Sequence, residues 1–137
     1  MKYFLLSVIT FSICATSFAA DEWKTYFKNE EVEILYRYAA CHDETNGIHQ
    51  QKVFFKFVNL TGKKEEIIFF REYFYSSSEK GKADKAGFTV ELNPNEVKEG
   101  ECATQDRAFF IYSKQLNFAS TELKKFELKD IHVKIIG

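Results

Sequence analysis

The chain has a single proline, Pro94, a single tryptophan, Trp23, and only six glycines in 137 residues. With one proline, no Pro-rich linker divides it, and it holds no internal repeat and no low-complexity tract, so one domain is expected. It also lacks an excess of charge of either sign: 19 Lys and Arg stand against 20 Asp and Glu, for a formal charge of −1. Nucleic acid and an anionic membrane surface therefore have no electrostatic claim on it. No apolar run reaches the roughly 20 residues that a membrane-crossing helix needs. Gly-rich phosphate loops, a Gly-x-Ser-x-Gly elbow and a His-Glu-x-x-His run are all missing, and no cofactor is expected. Helix signals are few; residues 120–125 have room for one turn.

What the first 20 residues do contain is a leader. Lys2 supplies a basic start, an apolar run follows from Tyr3 to Cys14, and small residues close the segment. This is the arrangement of a secretory signal peptide. Ser17 and Ala19 put small residues at −3 and −1, so cleavage is expected after Ala19, leaving residues 20–137 as the mature domain. Loss of Lys2 makes the mature chain one unit more negative. A lipid anchor on Cys14 is the alternative, but Phe11 and Ile13 stand where a bacterial lipoprotein signal carries Leu and a small residue. The expected location is the periplasm or the outside of the cell.

The chain is rich in aromatics: 15 Phe and 7 Tyr beside the one Trp. Aromatic and β-branched residues favour strands. Their spacing agrees, because the dominant pattern is alternation. In residues 31–39, Val32, Ile34, Tyr36 and Tyr38 share a face opposite Glu31, Glu33, Leu35 and Arg37. In 52–58, Val53, Phe55 and Phe57 alternate with Lys52 and Lys56. Phe88, Val90 and Leu92 alternate with Thr89 and Glu91. Residues 65–75, EEIIFFREYFY, are apolar on both faces and suit a central strand of undetermined phase. Phe126 and Leu128 share a face, whereas Ile131, Val133 and Ile135 fall on the other parity; one extra residue near Lys129 and Asp130, a β-bulge, accounts for the change. Asn46-Gly47 and the stretch 59–64 are hairpin connections. About seven strands with turns near every tenth residue predict an all-β, immunoglobulin-like antiparallel sandwich with little or no helix.

Two cysteines remain after the leader, Cys41 and Cys102, and in an oxidising compartment two cysteines pair. The bond would stabilise the fold by about 4 kcal/mol in the chain-entropy model. A strict pole-to-pole path places Cys41 at the end of the second strand and Cys102 at the start of the sixth, at opposite ends of the sandwich. The pairing then requires residues 93–101 to run back along the sandwich as an edge segment. The run Cys41-His42-Asp43 resembles a nucleophile beside its base, but successive side chains on a strand point to opposite faces, so it is a poor triad.

His42 and His49 lie seven residues apart across a turn, a spacing that matches no standard zinc pattern, and no metal site is expected. Residues 43–47 lack the later Glu and the alternating oxygens of an EF-hand. Asn59-Leu60-Thr61 is a glycosylation acceptor by pattern, and turn chemistry by position. The longest polar stretch, 76–87, carries Lys80, Lys82 and Lys85 and is the candidate binding loop. The function expected is that of a small exported binding module with no chemistry of its own, its partner an unknown protein or glycan. A periplasmic inhibitor or immunity-type protein is one alternative. A small hydrolase or thiol enzyme using Cys41 or His42 is the other.

Overall fold

A computed structural model describes residues 21–137, so the leader and Cys14 lie outside the described residues. The strands are β1 (Lys24–Lys28), β2 (Val32–Asp43), β3 (Ile48–Asn59), β4 (Glu65–Tyr75), β5 (Lys82–Ala83), β6 (Phe88–Leu92), β7 (Val97–Glu99), β8 (Phe110–Gln115) and β9 (Leu123–Ile135). Every pairing is antiparallel. β2 occupies one side of β3, and β7 and β8 share its other side as one interrupted lane. β9 likewise runs along one side of β4, and β5 and β6 share the other. The nine segments thus fill seven lanes, four in the first sheet and three in the second. Taken in chain order, the lanes run 1-2-3-6 in the first sheet and 7-4-5 in the second, whereas the constant-type immunoglobulin order would be 1-2-5-4 and 3-6-7. The all-β sandwich expected from alternation is present, with its own connection order.

The core is the inward face of each sheet. Val32, Ile34, Val53, Phe55 and Phe57 from the first meet Ile67, Phe69, Val90, Leu92 and Leu128 from the second. Aromatic rings carry much of this contact. Phe57 stacks on Phe69 at 5.5 Å and meets the edge of Phe109 at 5.5 Å, while Tyr26, Tyr36 and Phe55 surround Phe126 at 5.4–5.8 Å. Such pairs add about 0.5–1.5 kcal/mol each beyond their area. The expected bulge is present: between the pairs Ile68↔His132 and Phe70↔Lys129, β9 holds one residue more than β4, and Asp130 takes φ 52°. In β4 the odd positions point inward, which settles the phase that its two apolar faces left open.

The turns use the chemistry their residues supply. Asn29 Oδ1 accepts from the Glu31 and Val32 amides, both at 2.8 Å, and turns β1 into β2. Gly47 takes φ 63° in the β2–β3 hairpin, and Asn46 bonds both carboxylate oxygens of Asp43, which holds that carboxyl below its ordinary value. Asn59 is buried; its amide donates to the Lys63 and Asn93 carbonyls at 2.7 and 2.9 Å, and its Oδ1 accepts from Thr61. The folded chain therefore presents no Asn59 amide to a glycosylating enzyme. Residues 59–64 do turn the chain, but they carry it from β3 to β4 of the other sheet and do not form the expected hairpin. Nearby Glu65 is fully buried and accepts from Thr61 Oγ1, and burial raises its carboxyl above the usual range. The helical turn for which residues 120–125 have room does not form, since 120–122 are irregular and 123–125 open β9; the helical structure described is the 3₁₀ turn Arg107–Phe109.

Residues 93–99 do run back along the sandwich, because β7 pairs with β3 at its edge. Cys102 does not open the sixth strand, however. It lies in an excursion, residues 100–109, that interrupts the lane between β7 and β8. The Gly100 amide bonds the Phe55 carbonyl at 2.9 Å at one end, and Asp106 caps the 3₁₀ turn at the other. The two ends close on each other as in an Ω-loop. Between them the loop folds over the outward face of the first sheet and carries Cys102 to Cys41, with Cα atoms 5.6 Å apart across a separation of 61. It also covers Phe54, which has outward parity in β3 and is nevertheless buried. The base of the excursion admits only glycine. A Cβ on Gly100 would lie 2.3 Å from the Phe109 carbonyl oxygen and 3.0 Å from Phe54, whereas one on Gly62 would meet nothing within 4 Å. Gly100→Ala is therefore expected to cost about 1–3 kcal/mol in urea denaturation, and Gly62→Ala less than about 0.5 kcal/mol; equal effects would show that the base is not tightly closed.

Candidate functional site

The richest chemistry lies where β4 faces β8 at the edge of the sandwich. Alternation sends Arg71, Tyr73 and Tyr75 of β4 inward at the end of the sheet, beyond the apolar positions Ile67 and Phe69. A cleft of about 280 Å³ opens there, lined by these three residues with Arg107, Phe110, Ile111 and Tyr112. Arg71 is its floor, with only 2% of its surface exposed. An Arg so buried needs partners, since an unpaired buried charge is costly. One terminal nitrogen donates to the Arg107 and Phe110 carbonyls at 2.7 and 3.1 Å, and Nε donates to Tyr73 Oη at 2.9 Å. Its guanidinium also lies 3.8 Å from the Phe88 ring centroid, a desolvated cation–π contact of about 2 kcal/mol. Arg71 thereby ties the end of the excursion to the second sheet.

Asp84 completes this arrangement. Its carboxylate accepts a short hydrogen bond from Tyr73 Oη and lies 3.7 Å from Arg71 Nε. Burial and this hydrogen bond push the Tyr73 phenol up to about 12, and burial pushes the Arg71 guanidinium down from its usual value. Tyr75 Oη donates to the Tyr112 carbonyl at 2.8 Å, fixing the facing wall. Arg107 is exposed at the mouth and forms no ion pair among the described residues. The cleft lining thus carries two guanidinium groups beside the rings of Tyr73 and Tyr75, and the Asp84 carboxylate is hydrogen-bonded to its Tyr73.

The candidate binding loop meets this site differently from expectation. Lys80, Lys82 and Lys85 are exposed, with Lys82 on β5 beside Tyr73, and none of the three lines the cleft. The residue of 76–87 that touches the lining is Asp84, through Tyr73 and Arg71. The sequence could have suggested as much, because an Arg and two Tyr at alternating positions after a core run mark an inward polar end. Cys41 is bonded to Cys102 and carries no free thiolate for nucleophilic attack. His42 does not turn to Asp43 but faces His49 across the hairpin, with the two Nδ1 atoms 2.7 Å apart.

Asp84→Asn is expected to lower the Tyr73 titration from about 12 toward its ordinary value of 10.0. An unfolded chain loses this proton first as the pH rises, so alkaline solution destabilises the wild type between those values. The variant should lose less stability over that window. Tyrosinate absorbance and thermal melts at alkaline pH measure both effects; an unchanged titration would show that Asp84 does not hold the phenol. Comparison with protein-family models, with curated proteins and with solved structures finds no match to this chain.

Proposed function

We propose that the chain is a small exported binding module with no chemistry of its own, and that its cleft takes the acidic part of a protein or glycan partner. The observation that carries this reading is the pairing of an unpaired Arg107 at the mouth with a buried, carbonyl-bound Arg71 at the floor, between aromatic side chains. Guanidinium groups suit carboxylate, sulfate or phosphate through charge-assisted hydrogen bonds. The rings of Tyr73 and Tyr75, 6.4 Å apart on the inward face of β4, suit the apolar side of a sugar or a peptide side chain. Export rests on the leader at residues 1–19, and the Cys41–Cys102 bond suits an oxidising compartment. No helix among the described residues is long and apolar enough to cross a membrane.

The test is an NMR titration of the ¹⁵N-labelled mature chain with three probes: a uronic-acid oligosaccharide, a neutral oligosaccharide of equal length and a Glu-rich peptide. An acidic probe should shift the amides of Arg107, Phe110 and Tyr112. Arg107→Ala should weaken it about tenfold, the scale of one hydrogen bond to a charged group. Shifts confined to the exposed apolar residues Ile48, Leu116 and Phe118, or equal binding of the neutral probe, would overturn the reading.

A further inference from the structure

The hairpin that joins β2 to β3 places His42 directly opposite His49, and the imidazole rings turn toward each other. Their centroids are 5.0 Å apart and their Nδ1 atoms 2.7 Å apart. We propose that this pair is a binding site for a divalent transition-metal ion, copper(II) above all, held through the two Nδ1 atoms with water in the remaining positions. The site is separate from the Arg71 cleft and does not depend on it.

The backbone is built to keep the rings in place. Cys41, the residue before His42, is bonded to Cys102, and the His49 carbonyl accepts from the Leu116 amide at 2.8 Å. Asp43, Asn46 and Gly47 close the hairpin tip. Two imidazoles fixed on adjacent strands form a chelate whose ordering cost is largely met in folding. Glu44 Oε2 lies 3.9 Å from His49 Nε2 and adds a negative charge beside the pair. In the metal-free pair one Nδ1–H donates to the other Nδ1. Metal binding moves that proton to Nε2 of its own ring, and both lone pairs face the ion. Neither oxidation nor net proton release is required.

With metal–nitrogen bonds of about 2.0–2.1 Å, two ligands at a right angle have nitrogens about 2.9 Å apart, so the 2.7 Å pair parts by only roughly 0.2 Å. The 5.0 Å centroid spacing shows that the rings meet almost head-on, so each must swing by roughly 45° to aim its Nδ1 lone pair at an ion in the square, tetragonal arrangement that copper(II) and nickel(II) prefer. Among the described residues no three His, Cys, Asp or Glu side chains converge into a closed cage. The site is therefore an open one with two protein ligands, and among divalent ions the affinity order puts copper first.

The test adds Cu²⁺, Ni²⁺ or Zn²⁺ alone to the intact mature chain, with isothermal titration for affinity and electron paramagnetic resonance for the copper ligands. One copper ion per chain is expected, with a tetragonal spectrum showing two nitrogens, and affinity in the order copper, nickel, zinc. His42→Gln and His49→Gln should each weaken copper at least tenfold, the loss that even outer-shell partners produce. His132→Gln, which changes the remaining histidine, should leave binding unchanged. Acid should release the ion, because the ligating nitrogens must be free of protons. Unchanged melting temperature and intact disulfide mass would show that the variants fold. Long-range ¹H–¹⁵N spectra give a second readout on the wild type, in which diamagnetic zinc at saturating concentration should shift the His42 and His49 ring nitrogens and not those of His132. Copper binding that survives both His42→Gln and His49→Gln, or a spectrum without paired nitrogens, would overturn the site.

Discussion

The rest of this structure depends on how the excursion 100–109 is held. It breaks the edge lane of the first sheet, and two anchors of different kinds keep it folded against the sandwich. On the outward side the Cys41–Cys102 bond fastens it to β2. On the inward side Arg71, rooted in the second sheet, donates to the carbonyls of Arg107 and Phe110 at its exit. The covalent anchor closes a long loop and is worth about 4 kcal/mol in the chain-entropy model. That is a large share of the roughly 5–15 kcal/mol that stabilises a whole domain.

Both candidate sites grow from this one device. The cleft at Arg71 takes Arg107 and Phe110 from the excursion's end, so its floor and mouth exist only while the loop is docked. The His42–His49 pair sits one residue beyond Cys41, and a hollow of about 350 Å³ beside it is lined by Cys41, His42, Cys102 and Ala103 among others. A buried charge inside the core and a cross-link outside it each fix the same loop from a different face. Phe54 completes the arrangement, since its ring gives the loop an apolar surface to rest on.

Much of the sandwich was legible because alternation encodes which face of a strand is buried. Val32 and Ile34, then Val53, Phe55 and Phe57, all lie on the faces that their spacing assigned, and the parity change around Asp130 marked a real bulge. The disulfide was legible from compartment and count, and it forced the edge segment that β7 supplies. The excursion was not legible. Its residues carry no periodic signal, and its docking depends on contacts with Phe54 and Arg71 that are distant in sequence. The histidine pair was hidden for a different reason. Hairpin register follows loop length; a tight two-residue turn at Asn46-Gly47 would have set His49 against Glu44, whereas the loop spans residues 44–47 and sets it against His42.

The most direct measurement of this account is amide hydrogen exchange on residues 20–137 with the Cys41–Cys102 bond intact and after its selective reduction. If the excursion is held from both sheets, reduction should speed exchange at Gly100 and Phe109 and open the Arg71 cleft, while the β2–β3 and β4–β9 ladders keep their protection. Unchanged protection of Gly100 and Phe109 after reduction would show that the bond does not hold the loop. That result would contradict the constraint on which both sites are argued.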